Sequence, residues 1–419
     1  MSEVISLLST EFRKKVGKSK DQRMKSEAVA GVSYPTGFLS YDFLNGTVVH
    51  TKSEILPKYN SIGVLDGSVN IVIGRAGCGK STFVEQCAAN IVRPFNNSSI
   101  FVEHVEATGM SDVRRQTITG ITGDEYIDRY IIRDSGVTAE NFYERIKLIY
   151  DIKIEKKEEY LYDTGLIDTL GRRIEKLQPT VLILDSLAMI MPEKFTDEDE
   201  LSGQMSATAG AKALASIFKR IIPLLKAANI IVFVVNHITQ KVEINQFKRT
   251  KAQLSYLKPD EALPGGVTPV YLATNVIRLD DGTKLKDSEG LGINGSIVDL
   301  TIVKSRTAAV GRSVPLVYTF DHGFDYNLSL YVLLKDKGRI NGAGAYLYIG
   351  NHDEYKFAQK NFLKLLNTDE MFRDIFISEV FDLLSNEIIT NDQKYEENSY
   401  DHFGVTNTII NNMILGNIA

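Results

Sequence analysis

Short runs of β-branched and other apolar residues alternate along the chain with longer stretches whose apolar positions recur every three or four residues. Runs at 69–73, 99–102, 130–132, 180–184, 230–235, 276–279, 297–303 and 316–320 read as buried strands. Stretches 81–92, 139–150 and 207–228 carry the helical period, as do 355–366 and 370–384 beyond residue 335. Strands alternating with helices predict an α/β fold, a mostly parallel twisted sheet with helices on both faces. The later strands follow one another across Gly/Asp turns, which predicts an antiparallel extension. No internal repeat is visible.

Composition narrows the class. Of 419 residues, 43% are hydrophobic and 24% charged, enough for a full core and unlike a disordered or fibrous chain. The longest apolar runs fall well short of the roughly 18 residues of a membrane span. The N-terminus meets acid and base too early for a signal peptide. Cys78 and Cys87 are the two cysteines, so no disulfide framework is expected. The expectation is a cytoplasmic protein with no membrane partner. With 48 basic against 53 acidic residues the formal charge is −5, so any grip on nucleic acid must be local. Charge is nonetheless uneven. Residues 13–25 hold seven bases and one acid, whereas 353–401 hold twelve acids and five bases. This asymmetry predicts three pieces: an N-terminal arm, 1–30, a central body, 31–335, and a small α-rich C-terminal subdomain, 336–419.

Gly74, Arg75, Ala76, Gly77, Cys78, Gly79, Lys80 and Ser81 fit the pattern G-x-x-x-x-G-K-[ST], with Thr82 following. Glycines let backbone N–H groups curl around phosphates, the helix N-terminus adds positive potential, and the lysine reaches the outer phosphates. The serine hydroxyl is placed to ligate Mg²⁺. A run read as a strand precedes the pattern and a helical stretch follows it, so this loop is expected to bind a nucleoside triphosphate. Cys78 reads as a small filler of the turn. Run 180–184 ends in Asp185, a carboxylate able to hold Mg²⁺ through its water shell or simply to cap the next turn. Run 230–235 ends in Asn236 and His237, where α/β sheets place ligand contacts. After 100–102 come Glu103, His104, Val105 and Glu106, and either glutamate is a candidate to activate water.

Taken in order, these residues resemble a RecA-type recombinase, closest to bacteriophage recombinases of the UvsX kind. The segment Tyr34-Pro35-Thr36-Gly37-Phe38-Leu39-Ser40-Tyr41-Asp42 resembles the family's TG-x-L-S-x-D turn. The phosphate loop, the Glu106 segment, Asp185 and the Asn236-His237 pair follow. Gly265 and Gly266 resemble the Gly-Gly that closes the second DNA loop, and Lys304 and Arg306 the family's basic pair. The resemblance covers roughly residues 31 to 335 and implies a RecA-like P-loop ATPase core using ATP and Mg²⁺. By resemblance, Lys80, Ser81 and Asp185 serve phosphate and metal, Glu106 activates water, and His237 senses the γ-phosphate. Lys304 and Arg306 would reach a neighbouring protomer's ATP. Three departures stand out. Val113 replaces an adenine-stacking aromatic, leaving Arg114 or Arg115 as substitutes. His104 replaces an acid, leaving Glu103 as a fallback base. An insertion at 49–62 has no assigned task.

Two polar segments lie where the family has its DNA loops. The first, 192–205, is acidic and unsuited to phosphate. The second, 238–262, carries Lys241, Lys248, Arg249, Lys251 and Lys258 with Phe247 and Tyr256. Bases interleaved with aromatics suit single-stranded nucleic acid. The expected function is an ATP-dependent recombination protein. It would form a helical homo-oligomer on single-stranded DNA and pair that strand with duplex DNA, with loader or single-strand-binding proteins as possible partners. A hexameric RecA-fold helicase and a non-catalytic ATP-locked filament scaffold are the rivals.

Overall fold

The computed structural model describes residues 31–105, 109–168, 171–193, 203–240, 252, 254–285, 295–343 and 346–393. Its centre is a nine-stranded sheet built from β1 (Val69–Gly74), β2 (Ile100–His104), β3 (Tyr130–Arg133), β4 (Thr180–Asp185) and β5 (Ile230–His237), then β6 (Asn275–Leu285), β7 (Gly295–Ser305), β8 (Ser313–Thr319) and β9 (Gly323–Asp325). The spatial order is β9-β8-β7-β6-β1-β5-β4-β2-β3. From β3 to β6 every pairing is parallel, and β6 to β9 form the antiparallel extension. The α/β fold with a mostly parallel sheet, as read from the sequence, is the fold observed.

The inner strands are apolar at consecutive positions because both faces are covered. On one face the helix Lys80–Val92 packs with Phe38, Phe83 and Phe324 over β1, β4 and β5. On the other, helices Ala139–Glu155 and Gly203–Ala228 pack over Leu182, Leu184, Val232 and Val234. The first of these begins at a reciprocal cap, Thr138 with Asn141. The Thr36-Gly37…Asp42 motif is structural in its local contacts. The buried Asp42 carboxylate accepts hydrogen bonds from Thr36 N (3.0 Å), Thr36 Oγ1 (2.7 Å) and Gly37 N (3.2 Å), which closes the turn.

Several elements differ from the sequence reading. Helix Tyr326–Asp336 gave no helical signal because it is apolar almost all round, with Leu328 to Leu334 buried. The stretch read as a helix from 355 begins only at Phe362, because Phe357 bridges back to Leu347. The hairpin Ile340–Ala343/Tyr346–Ile349 adds strands to a region read as helical. A second hairpin pairs Leu161–Ile167 with Arg173–Leu177. The insertion forms a hairpin, Thr47–His50 against Lys58–Ser61, and Asn391–Gln393 returns from far along the chain to pair with it in parallel. Past residue 335 the packing is continuous with the body: Tyr331 and Phe362 rings lie 4.5 Å apart, and Phe362, Phe372 and Phe376 belong to the cluster containing Phe38 and Phe83. Among the described residues no helix is long and apolar enough to cross a membrane.

Candidate nucleotide site and the far end of the sheet

The C-terminal ends of β1, β4 and β5 converge on one cavity. Register sets this up: His237 pairs with Gly74, Asp185 with Val235, and His104 with Asp185. The cavity is about 290 Å³, and its lining includes Ala76, Gly77, Lys80, Ser81, Asp185 and His237. Thr82, Val235 and Tyr318 also border it. Gly79 enters the helix at φ 82°, and a Cβ there would sit 2.9 Å from the Phe324 ring, so the position is held by conformation and by space. Ser81 Oγ donates to Asp185 Oδ2 at 2.6 Å, which places a hydroxyl and a carboxylate side by side at the mouth of the loop. Lys80 is buried and its Nζ donates to Arg75 O at 2.7 Å, curled over the loop interior. Arg75 itself is exposed. Cys78 is a turn filler here: its thiol is buried, donates to Arg75 O, and is pushed above its ordinary pKa by burial.

Strand β5 ties this cavity to the next loop. The buried Asn236 donates through Nδ2 to Pro264 O (3.0 Å) and accepts from His237 N (2.9 Å). Pro264 leads into Gly265 and Gly266, at φ 87° and 82°, which turn the chain into helix Val267–Leu272. A Cβ on Gly265 would press to 3.0 Å from Leu187, so the pair has a structural need independent of any ligand. The half-exposed Tyr256 lies against Gly311, which gives one ring face to its own chain. The acidic segment over 194–202, and Lys241, Phe247, Lys248, Arg249 and Lys251, lie outside the described residues, as do Glu106 and the arm 1–30.

Of the two candidate glutamates, Glu103 lies within β2, and its direction can be read. Along β2, Val102 and His104 face the helix Lys80–Val92, so Glu103 faces the other way. There its buried carboxylate meets Arg145 at 2.6 Å and Arg133 at 3.5 Å. Glu103 therefore points away from the phosphate loop, which removes the fallback. His104, on the loop side, contacts Arg115 Nη2 through Nε2 at 2.8 Å, and burial and that cation lower its pKa. Arg115 is fully buried between Glu85, Asp112 and Tyr126, so it is no substitute for an adenine-stacking ring. Arg114 is spent on Asp321 O (2.6 Å), while Val113 is 76% exposed. Tyr318, absent from the sequence-derived set, is the aromatic ring on the cavity wall. Its only sequence signal was its place within the apolar run 316–320.

Lys304 and Arg306 sit elsewhere. Lys304 pairs across with Val276, which pairs with Ile71; Arg306 N donates to Thr274 O, and Thr274 N to Val69 O. Arg306 is thus level with the start of β1, about 17 Å of strand away from Gly74, and Lys304 with Ile71, about 10 Å away. Lys304 Nζ donates to three carbonyls around the end of helix Val267–Leu272, Val270 (3.0 Å), Tyr271 (2.6 Å) and Ala273 (2.7 Å). Burial and the neighbouring Arg306 pull its pKa down to about 8. Arg306 approaches the same Tyr271 carbonyl at 3.4 Å, so the two cations do share a side.

No protein-family model matches the chain. The DNA repair protein RadA of Streptococcus pneumoniae is 25% identical over 197 residues, 46% of this chain and 36% of that protein. RadA of Halalkalibacterium halodurans is 22% identical over 226 residues, 54% of this chain and 39% of that one. Protein RecA of Thermotoga neapolitana is 21% identical over 168 residues, 40% of this chain and 44% of that one. The chain thus spans about two-fifths of the length of the curated relatives it matches. The parallel sheet, the phosphate loop at its C-terminal edge and these weak relatives together support an α/β, RecA-like core.

Proposed function

We propose that this chain is a DNA-dependent ATPase of homologous recombination. Protomers assemble head to tail on single-stranded DNA, with ATP between them, and pair the bound strand with duplex DNA in the manner of UvsX-like recombinases. One observation carries the reading. The basic pair lies away from the chain's own phosphate loop, toward the other end of the sheet, and that supports the reading that a nucleotide met by Lys304 and Arg306 is one held by another copy.

Within a protomer, Gly77, Gly79 and the first turn of the helix cradle phosphate and Lys80 neutralises its charge. Ser81 and Asp185 fit Mg²⁺, which needs few protein oxygens beside phosphate and water. When bound, that ion offsets charge on the outer phosphates. Glu106 orients the attacking water and takes its proton. His237 meets the γ-phosphate, and its neighbour Asn236 carries the strand's position into the Pro264-Gly265-Gly266 turn and the basic loop before it. Lys241, Phe247, Lys248, Arg249, Lys251 and Tyr256 grip DNA by charge and stacking. The arm 1–30 docks on the adjacent protomer. The acidic 336–419 module discourages misplaced duplex by repulsion, and loader or single-strand-binding proteins act beside it in a bacterial host's cytoplasm.

The test is negative-stain imaging with single-stranded DNA and a slowly hydrolysed ATP analogue, beside an ATPase assay with and without DNA. Helical filaments and DNA-stimulated hydrolysis are expected. Closed rings would favour a helicase, and filaments without stimulated hydrolysis a passive scaffold.

A further inference from the structure

Helix Glu370–Leu383 carries more apolar surface than the core covers. Phe372, Phe376, Val380 and Leu383 are buried, yet Ile377 and Phe381, one turn apart, stay 44% and 52% exposed. A groove of about 330 Å³ runs from this ridge to Leu330 of helix Tyr326–Asp336, with Leu366 also in its wall. The one charged side chain in the lining, Arg373, is turned onto backbone, donating to Leu366 O (2.8 Å) and Asn367 O (3.0 Å). Asn327 and Asn367 also border the groove. It thus offers apolar walls and neutral amides, with no carboxylate.

The chain's own sequence supplies a matching segment. After the polar stretch 394–401, no Asp, Glu, Lys or Arg occurs from Phe403 to Ala419. In helical register Ile409, Ile410, Met413 and Ile414 share one face, which Val405 and Ile418 extend. Thr408, Asn411 and Asn412 fall on the other, with Leu415 the large apolar exception. A helix of this length is marginal in water without something to pack on. The reach is sufficient. Asn391 pairs with Thr47, and Leu39, on the groove wall, precedes Thr47 across helix Leu39–Leu44. That path is about 18 Å, whereas residues 394–404 can extend to about 36 Å. Phe43 of the same helix meets Phe381, their ring centroids 6.4 Å apart. So short a tether gives a local concentration on the order of millimolar, which favours the chain's own segment over that of another copy.

We propose that this groove is the dock for the chain's own segment 405–418, laid along it with Ile409, Ile410, Met413 and Ile414 inward. Leu39 adjoins Phe38, which packs against Phe83 of the helix after the phosphate loop, ring centroids 4.8 Å apart. The dock therefore ties the end of the chain to the side of the body that carries that helix. It stands independently of the recombination reading.

The test is cysteine cross-linking in the full-length chain, where the native Cys78 and Cys87 are both buried. Ile377→Cys combined with Ile409→Cys or Met413→Cys, and treated with a short bismaleimide, should give an intrachain cross-link. Its yield should not change with protein concentration. Leu148→Cys, 58% exposed on the helix Ala139–Glu155 over the opposite face of the sheet, should give none with either partner. A second measurement needs no cross-link. A monofunctional maleimide should label Ile377→Cys about tenfold faster once Ile410→Asp and Ile414→Asp are added, because an undocked segment no longer shields the thiol. Cross-links that form only between chains would assign the groove to a second copy and overturn the proposal. Equal cross-linking from Leu148→Cys and Ile377→Cys would also overturn it, as would labelling at one rate with and without the two aspartates.

Discussion

The two ends of the central sheet differ in what their polar groups are doing. At the C-terminal end of β1, Ser81 and Asp185 hold each other and Lys80 curls over its own loop, so donors and acceptors surround a cavity of about 290 Å³. At the N-terminal end, lysines are turned onto backbone. Lys304 caps three carbonyls, and Lys153 donates to Gln178 O (2.7 Å), Thr180 Oγ1 (3.1 Å) and Asn229 O (3.4 Å). Arg306 beside them is held more lightly, by one carbonyl at 3.4 Å. The near end gathers its groups within one chain, whereas in the proposed function the far end becomes a nucleotide contact only through a second chain.

The sharpest way to break that contrast is to disable each end separately. Lys80→Ala should abolish both nucleotide binding by dispersed protein and turnover. Arg306→Ala should lose turnover alone, on the order of 10³- to 10⁵-fold, as for a cation supplied across an interface. Equilibrium binding of a fluorescent ATP analogue, measured beside hydrolysis, separates the two. Loss of nucleotide binding by dispersed Arg306→Ala protein would erase the distinction between the ends.

A smaller effect tests the near end by itself. Glu106→Gln should keep nucleotide binding and assembly yet slow hydrolysis by about 10²- to 10⁴-fold. Glu103→Gln should spare turnover and lower the melting temperature, because it weakens the buried pairing with Arg145. The reverse pattern would place the reacting water on the wrong face of the sheet.

How much of this was legible beforehand follows from how local each signal is. The phosphate loop is eight consecutive residues, and the strands flanking it are consecutive apolar runs, so both could be read directly. Glu103 and Glu106 could not be told apart by composition. The face of β2 turns Glu103 away from the phosphate loop, and that depends on which helix covers which side. Arg115 reads as a stand-in for the adenine-stacking ring until Glu85, thirty positions earlier, is found against it in the core. The insertion hairpin was opaque for the same reason, since its parallel partner Asn391–Gln393 lies more than 300 residues away. Helix Tyr326–Asp336 failed differently: burial on nearly every side removed the periodicity that marks a helix.

In the proposed function the loop leaving β5 grips DNA, and its contribution should be additive and salt-dependent. The logarithm of single-strand affinity should fall with the logarithm of salt by about 0.7 per phosphate neutralised. Replacing Lys248, Arg249 and Lys251 together by alanine should flatten that slope by about 2. An unchanged slope in a titration of labelled oligonucleotide would move the DNA grip away from this loop.

The smallest expected effect probes the far end without any ligand. Lys153 is 2% exposed, and burial lowers its pKa from an ordinary 10.5 to about 7. Below pH 7 both folded and unfolded chains carry the proton, so the cost of burying an ammonium is fully present and constant. Between about pH 7 and 10.5 the unfolded chain still binds the proton while the folded chain has released it. More protons on the unfolded state means stability rises with pH, by at most about 1.4 kcal/mol per unit from this group. Lys304 shifts in the same direction, but its half-exposed position lets solvent screen the effect. The measurement is the difference in urea midpoint between the wild type and Lys153→Met from pH 6.5 to 9. The wild type should gain on the variant as pH climbs. A constant difference would mean the three acceptors hold the ammonium charged throughout, and that this lysine is a fixed cationic clamp rather than a neutral amine at the strand starts.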